Sequence, residues 1–196
     1  MGRSYVIPVQ QPDDFTCGPT AVKHALEIFG KRKSVKMLSE LCKTNYNGTS
    51  TKNIIGAFTK LGFPVLAVEK ASLRHLQSAL KHKPNQERAA LVTYLYDLNE
   101  NEKPHPDSGH WAVVAAYSSS NGRIVLMDSA TAGKKSYGWQ EFRKRWKDYD
   151  FLRKTRTDGS IQLRKKWQHQ LLIVVAKHPD HLPKFSIKTQ KKYLPN

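Results

Sequence analysis

At 196 residues, with 39% hydrophobic and 10% aromatic residues, the chain is long enough to bury the core of one globular domain. Its two cysteines cannot build a disulfide framework and no CxxC pair starts a zinc site, which excludes stapled secreted folds and zinc ribbons and points to a reducing compartment. The net charge of +17, from 33 Lys+Arg against 16 Asp+Glu, favours acidic partners of some kind, and residues 131–196 alone carry 17 basic and 5 acidic groups, +12 of that total.

The first helix signal spans 17–29, with Ala21, Val22, Ala25, Leu26 and Phe29 on one stripe, Pro19 in the first turn and Gly30 as the stop. Ser34 caps a short helix carrying Val35, Leu38, Leu41 and Cys42; after the Asn47-Gly48 turn, Thr49 or Ser50 starts a third helix that buries Ile54, Ile55, Phe58 and Leu61. A strand over 63–68 and a Ser72-capped helix with Leu73, Leu76 and Leu80 follow, closed by a polar link over 82–88. Then the period changes to three β-rich runs at 89–96, 111–117 and 123–127, the first two separated by a long exposed loop. A short helix at 139–146, an apolar strand at 171–176 and a basic, proline-containing tail over 177–196, a candidate mobile segment, complete the chain. The expectation is one domain over 1–176 of α+β class, N-terminal helices packed on a C-terminal antiparallel sheet. No stretch reaches the ~18 to 20 apolar residues of a membrane span, and the N-terminus lacks the apolar run of a secretion signal, so a cytoplasmic protein is expected.

Four residues fall where thiol chemistry needs them. Cys17 lies at a helix N-terminus, where unpaired N–H groups and the helix dipole favour a thiolate. His110 opens a strand after a glycine-containing loop, a position suited to a general base and acid. Asp128 ends the next strand. A two-residue Asn121-Gly122 turn would set Asp128 opposite Ala115, too far from His110. A five-residue loop over 118–122 pairs Tyr117 with Arg123 and sets Asp128 opposite Ala112, about 7 to 8 Å diagonally from His110. The longer loop is the prediction, and in that register Asp128 orients the imidazole. Gln11, with Gln10 as its rival, is placed to join the Cys17 N–H as an oxyanion donor.

Other features read as structure. Cys42 sits inside an apolar stripe and reads as packing. In His178-Pro179-Asp180-His181 the proline breaks the helix that would align metal ligands, and the sequence calls for no metal or cofactor. The runs around Trp146 and Trp167 read as a solvated basic face with core tryptophans, with nucleic acid the less favoured alternative partner.

The segment from Gln11 to Ala21, with Cys17-Gly18, resembles the opening of the C39 peptidases, papain-like cysteine proteases best known as N-terminal domains of bacteriocin exporters. Leu41-Cys42-Lys43-Thr44, Gly48-Thr49-Ser50, Gly109-His110-Trp111, the strand ending at Asp128, and Trp139-Gln140-Glu141-Phe142 extend the resemblance over residues 5–176. It implies a papain-like fold, Cys17 as nucleophile, His110 as base, Asp128 as the group orienting it and Gln11 as oxyanion donor, acting on peptides after small residues such as Gly-Gly. The family usually has proline after the aspartate, where this chain has Ser129; the loop over 97–108 and the basic region beyond Lys134 look like additions. A non-cleaving peptide-binding module and an acyl transferase using the same thiol are the alternatives, with the basic C-terminal region offered to an acidic partner.

Overall fold

The computed structural model describes residues 6–81 and 85–195; the first five residues and part of the link read over 82–88 lie outside them. The helical half comprises α1 (Cys17–Ile28), α2 (Val35–Leu41), α3 (Thr51–Lys60) and, after strand β1 (Val65–Val68), α4 (Leu73–Leu80). Serines start α2, α3 and α4 as the sequence predicts, while α1 begins after Thr16 with no side-chain cap. Ser34 accepts from the Met37 N–H, Ser50 accepts from the Asn53 N–H, and Ser72 forms a capping box with His75.

The second half supplies β2 (Arg88–Leu95), β3 (Gly109–Ser118), β4 (Arg123–Asp128), β5 (Gly133–Gly138), α5 (Trp139–Arg145), β6 (Lys147–Thr155), β7 (Ile161–His169), β8 (Leu172–Ala176) and β9 (Gln190–Tyr193). Seven strands form one antiparallel sheet in the order β5-β4-β3-β2-β8-β1-β9, while β6 and β7 pair only with each other as a separate ribbon. The sheet is covered on both faces. Ala21, Leu26, Ile54 and Phe58 of α1 and α3 pack on the side bearing Leu91, Val113 and Ile173. Leu76, Phe142 and Trp146 pack on the side bearing Val92, Leu126 and Val174. Two-sided burial explains why β8 is apolar throughout rather than alternating.

The β3–β4 register arises by a route the sequence reading did not foresee. Ser118 pairs with Arg123, so the loop is four residues rather than five, and a bulge between Val114 and Ala116 then takes up one residue. Beyond the bulge Val113 faces Met127, and continuing that register sets Asp128 opposite Ala112, as expected from the longer loop. Three of the strands, β5, β6 and β7, lie where no strand is predicted. Residues 190–193, within the segment read as a tail, form β9 along Val65–Val68. The tryptophans also divide: Trp146 is buried and Arg145 beside it is too, donating to the Tyr96 carbonyl at 2.8 Å, whereas Trp167 is 37% exposed on the ribbon. The sequence predicts a solvated basic face with two core tryptophans; instead Trp146 alone of the two is in the core, Arg145 is buried with it, and the two-stranded ribbon has no layer to bury Trp167.

Candidate active site

Cys17 is the first residue of α1 and is buried there, with Gly18 behind it. A Cβ at Gly18 would stand 2.7 Å from Cβ of Thr49, so glycine is what lets the start of α1 close onto the loop between α2 and α3. Trp111 pins that loop to β3 by donating its indole N–H to the Thr49 carbonyl at 3.0 Å.

His110, second residue of β3, lies directly across the ladder from Tyr94, whose ring meets the imidazole edge-on at 5.7 Å; Tyr96 packs against it at 4.9 Å. Gly109 precedes it because a side chain there would collide with the Asp148 carboxylate, which is held by the Thr93 hydroxyl and the Tyr149 N–H. Burial pushes the Asp148 carboxyl up to about 6 against those two hydrogen bonds.

Nε2 of His110 is 3.2 Å from Oδ1 of the fully buried Asp128, an ion-pair contact angled away from an ideal hydrogen bond. Asp128 also accepts from the Ala130 N–H at 3.1 Å, the Thr131 hydroxyl at 2.8 Å and the Tyr96 hydroxyl at 3.1 Å. Burial alone would neutralise both members. For the imidazole, the Asp128 carboxylate and the contact with the Cys17 thiol outweigh that penalty and raise it to about 9. For Asp128, the contact with His110 and the hydrogen bonds from the Thr131 hydroxyl and the Ala130 N–H hold the carboxyl well below its usual range. His110 thus has two partners, Asp128 in ion-pair contact at 3.2 Å and the Cys17 thiol, whose interaction also favours the imidazolium.

Gln11 stands beside the aspartate's turn. Its backbone N–H donates to the Ser129 carbonyl at 2.9 Å, its Oε1 accepts from the Ser129 hydroxyl at 2.7 Å, and its Nε2 donates to the Asp13 carbonyl at 2.7 Å. Gln10 is exposed. Cys42 is fully buried and its thiol is pushed up to about 12 by burial, consistent with packing. Among the described residues no group of three or more His, Cys, Asp and Glu side chains could hold a metal, and no helix is long and apolar enough to cross a membrane.

The model of the peptidase C39 family matches residues 6–158. The chain belongs to the C39 peptidases. Its fold is similar to that of the peptidase domain of Streptococcus ComA, a bi-functional ABC transporter involved in quorum sensing, with TM-score 0.62 and 20% identity over 89% of this chain and 100% of that one. It is also similar to a double glycine motif protease from an AMS/PCAT transporter in complex with the leader peptide, with TM-score 0.57 and 12% identity over 89% of this chain and 94% of that one. The peptidase domain of Streptococcus mutans ComA gives TM-score 0.50 and 19% identity over 88% and 99%. No curated protein matches the chain. The expected papain-like C39 fold is thus the observed one.

A cleft of about 470 Å³ opens beside Cys17, between the loop at 43–50 and the β6–β7 ribbon. The sequence reading missed the ribbon, Tyr96, Thr131 and Asp148. Thr131 had a local signal, three residues after an aspartate at a strand end, where such side chains close turns. Tyr96 and Asp148 reach the site only through strand pairing and had none.

Proposed function

We propose that this C39 family member is an active cysteine peptidase in which Cys17 attacks the scissile carbonyl, and the observation carrying this reading is the buried His110–Asp128 pair together with a buried Cys17 at the start of α1 that interacts with His110. Asp128 at Nε2 leaves the other ring nitrogen of His110 for the thiol. The thiolate adds to the carbonyl carbon, and the C=O pair moves onto oxygen. The Cys17 N–H at the start of α1 and the second N–H of the Gln11 amide, uncommitted among the described residues, are the donors assigned to that oxyanion. The imidazolium then gives its proton to the leaving amine as the C–N bond breaks, forming a thioester. His110 next takes a proton from water, whose oxygen displaces the sulfur and releases the acid.

The substrate is a peptide or protein cut after a small residue such as the second glycine of a Gly-Gly pair. What supports this is family membership together with the likeness to a double glycine motif protease. Both thiols are free, which suits work in a reducing compartment such as the cytoplasm. The test pairs two readouts: iodoacetamide alkylation of Cys17 against Cys42 in wild type and His110→Ala, and cleavage of a panel of Gly-Gly peptides by wild type and Cys17→Ala. Expected are fast labelling of Cys17 that depends on His110, and cleavage lost with the thiol. Equal survival of every peptide with both proteins would overturn the specificity, and slow labelling whatever occupies position 110 would overturn the mechanism.

A further inference from the structure

We infer that the cleft-facing side of the β6–β7 ribbon is a docking surface for an acidic segment of the substrate that also carries apolar side chains, an inference resting on the peptidase reading above. The pairing sets Tyr149 opposite Trp167, Phe151 opposite Lys165 and Arg153 opposite Leu163, so these side chains share one face. Tyr149, Phe151, Arg153 and Leu163 line the same cleft as Cys17. On this two-stranded element Leu163 is 49% and Phe151 38% exposed, apolar area that folding leaves uncovered beside the thiol.

Charge decides the occupant. Of the six cations over residues 151–166, Arg153 and Lys165 stand on this face, Lys154, Arg164 and Lys166 stand on the other by strand alternation, and Arg156 lies in the connecting turn with the one anion, Asp158. The carboxylates at the cleft are largely committed inside the molecule. Asp107 takes Lys165 and the Tyr149 hydroxyl, Asp148 takes Thr93, and Asp150 takes the Thr51 N–H and Gln168. Asp14, exposed at the end near Cys17, is the exception. Arg153 and, from the opposite wall, Lys43 line the cleft with no acidic partner among the described residues. An extended peptide can put carboxylates over these two cations and apolar side chains over Phe151 and Leu163 while its chain continues to Cys17. Nucleic acid and a bilayer would find the same cations, but neither uses a wall that leads into the cleft.

The binding arm uses Cys17→Ala protein, so that docking is read without turnover. Its probe is a dye-labelled peptide with alternating Leu and Glu ahead of Gly-Gly, compared by fluorescence anisotropy with its Gln-for-Glu counterpart. The Glu peptide should bind about tenfold tighter at low salt, and the advantage should shrink as salt rises. Arg153→Glu should remove most of that factor and Arg153→Lys should keep it. Lys154→Glu, on the ribbon's other face by strand alternation, should change affinity less than about twofold. In active protein, Arg153→Glu should raise KM for the Glu peptide and leave kcat unchanged. Equal affinity for the two peptides overturns the inference, as does equal loss from Arg153→Glu and Lys154→Glu. So does Arg153-dependent binding of an oligonucleotide or of phosphatidylserine vesicles with peptide binding untouched. Selective docking with no cleavage by wild type would refute the peptidase reading while sustaining the surface.

Discussion

The His110–Asp128 pair and the β6–β7 ribbon use charge in opposite ways. At the pair, both groups are buried, each is held by several neighbours, and both are displaced from their ordinary protonation behaviour toward the charged forms. On the ribbon the cations stand in solvent, where water and salt screen them. Burial with a partner makes a charge specific in direction and tuned in protonation, which suits chemistry. Exposure leaves it long-ranged and tolerant of geometry, which suits attracting a chain.

The contrast can be broken first at its strongest point. Cys17→Ala should lower cleavage by roughly 10⁴-fold or more with the fold intact, as removal of a nucleophile does elsewhere; comparable residual turnover would mean the buried cluster is not the reacting one. Asp128→Asn should cost roughly 10²-fold in kcat, because His110 loses the group that favours its charged form. The pH profile sharpens this. His110 is raised from 6.5 to about 9, so its share of stability is complete below 6.5 and fades as pH rises through about 9. The gap in melting temperature between wild type and Asp128→Asn should therefore narrow across that interval. The alkaline limb of activity should move to lower pH in the variant.

Ser129→Ala tests how far the tuned region extends. The hydroxyl fixes the Gln11 amide from the residue next to Asp128, so its loss should cost about tenfold in kcat with KM unchanged. It should also weaken a peptide aldehyde ending in glycinal while leaving Cys17 alkylation as in wild type; slowed alkylation would instead place Ser129 in the Asp128 network. The smallest effect belongs to the ribbon. Leu152→Ala, 50% exposed, should shift stability by less than about 0.5 kcal/mol, against about 3–5 kcal/mol for Trp146→Ala in the core, both read by denaturant unfolding.

The helices were legible because each carries its own start signal and an apolar stripe, as Ser34 and Ser50 do for α2 and α3. Strands β2, β3, β4 and β8 were legible because burial demands apolar runs. The ribbon was not: Lys-Asp-Tyr-Asp and Arg-Lys-Lys-Trp lie in strands that pair only with each other, so nothing forces an apolar pattern on them. β5 and β9 are edge strands with Lys134, Lys135, Lys191 and Lys192, and edges tolerate charge. The placement of Cys17 at a helix start and of His110 at a strand start was readable from the local pattern. The Asp128 register was reached only because a bulge at Ala115 makes up for a loop one residue shorter than the prediction. The Gln11 clamp depends on Ser129, 118 residues away in the chain, a distance over which no local pattern speaks.

β9 lies along the outer edge of β1 and occupies the hydrogen-bonding groups of Val65–Val68. Cutting the chain after Ala176 would do more than remove cations: it would uncover a row of amides and carbonyls on an apolar strand, ready to accept a strand from another molecule. A shortened protein would tend to associate through that seam, so the last residues act as a built-in stopper against edge-to-edge growth.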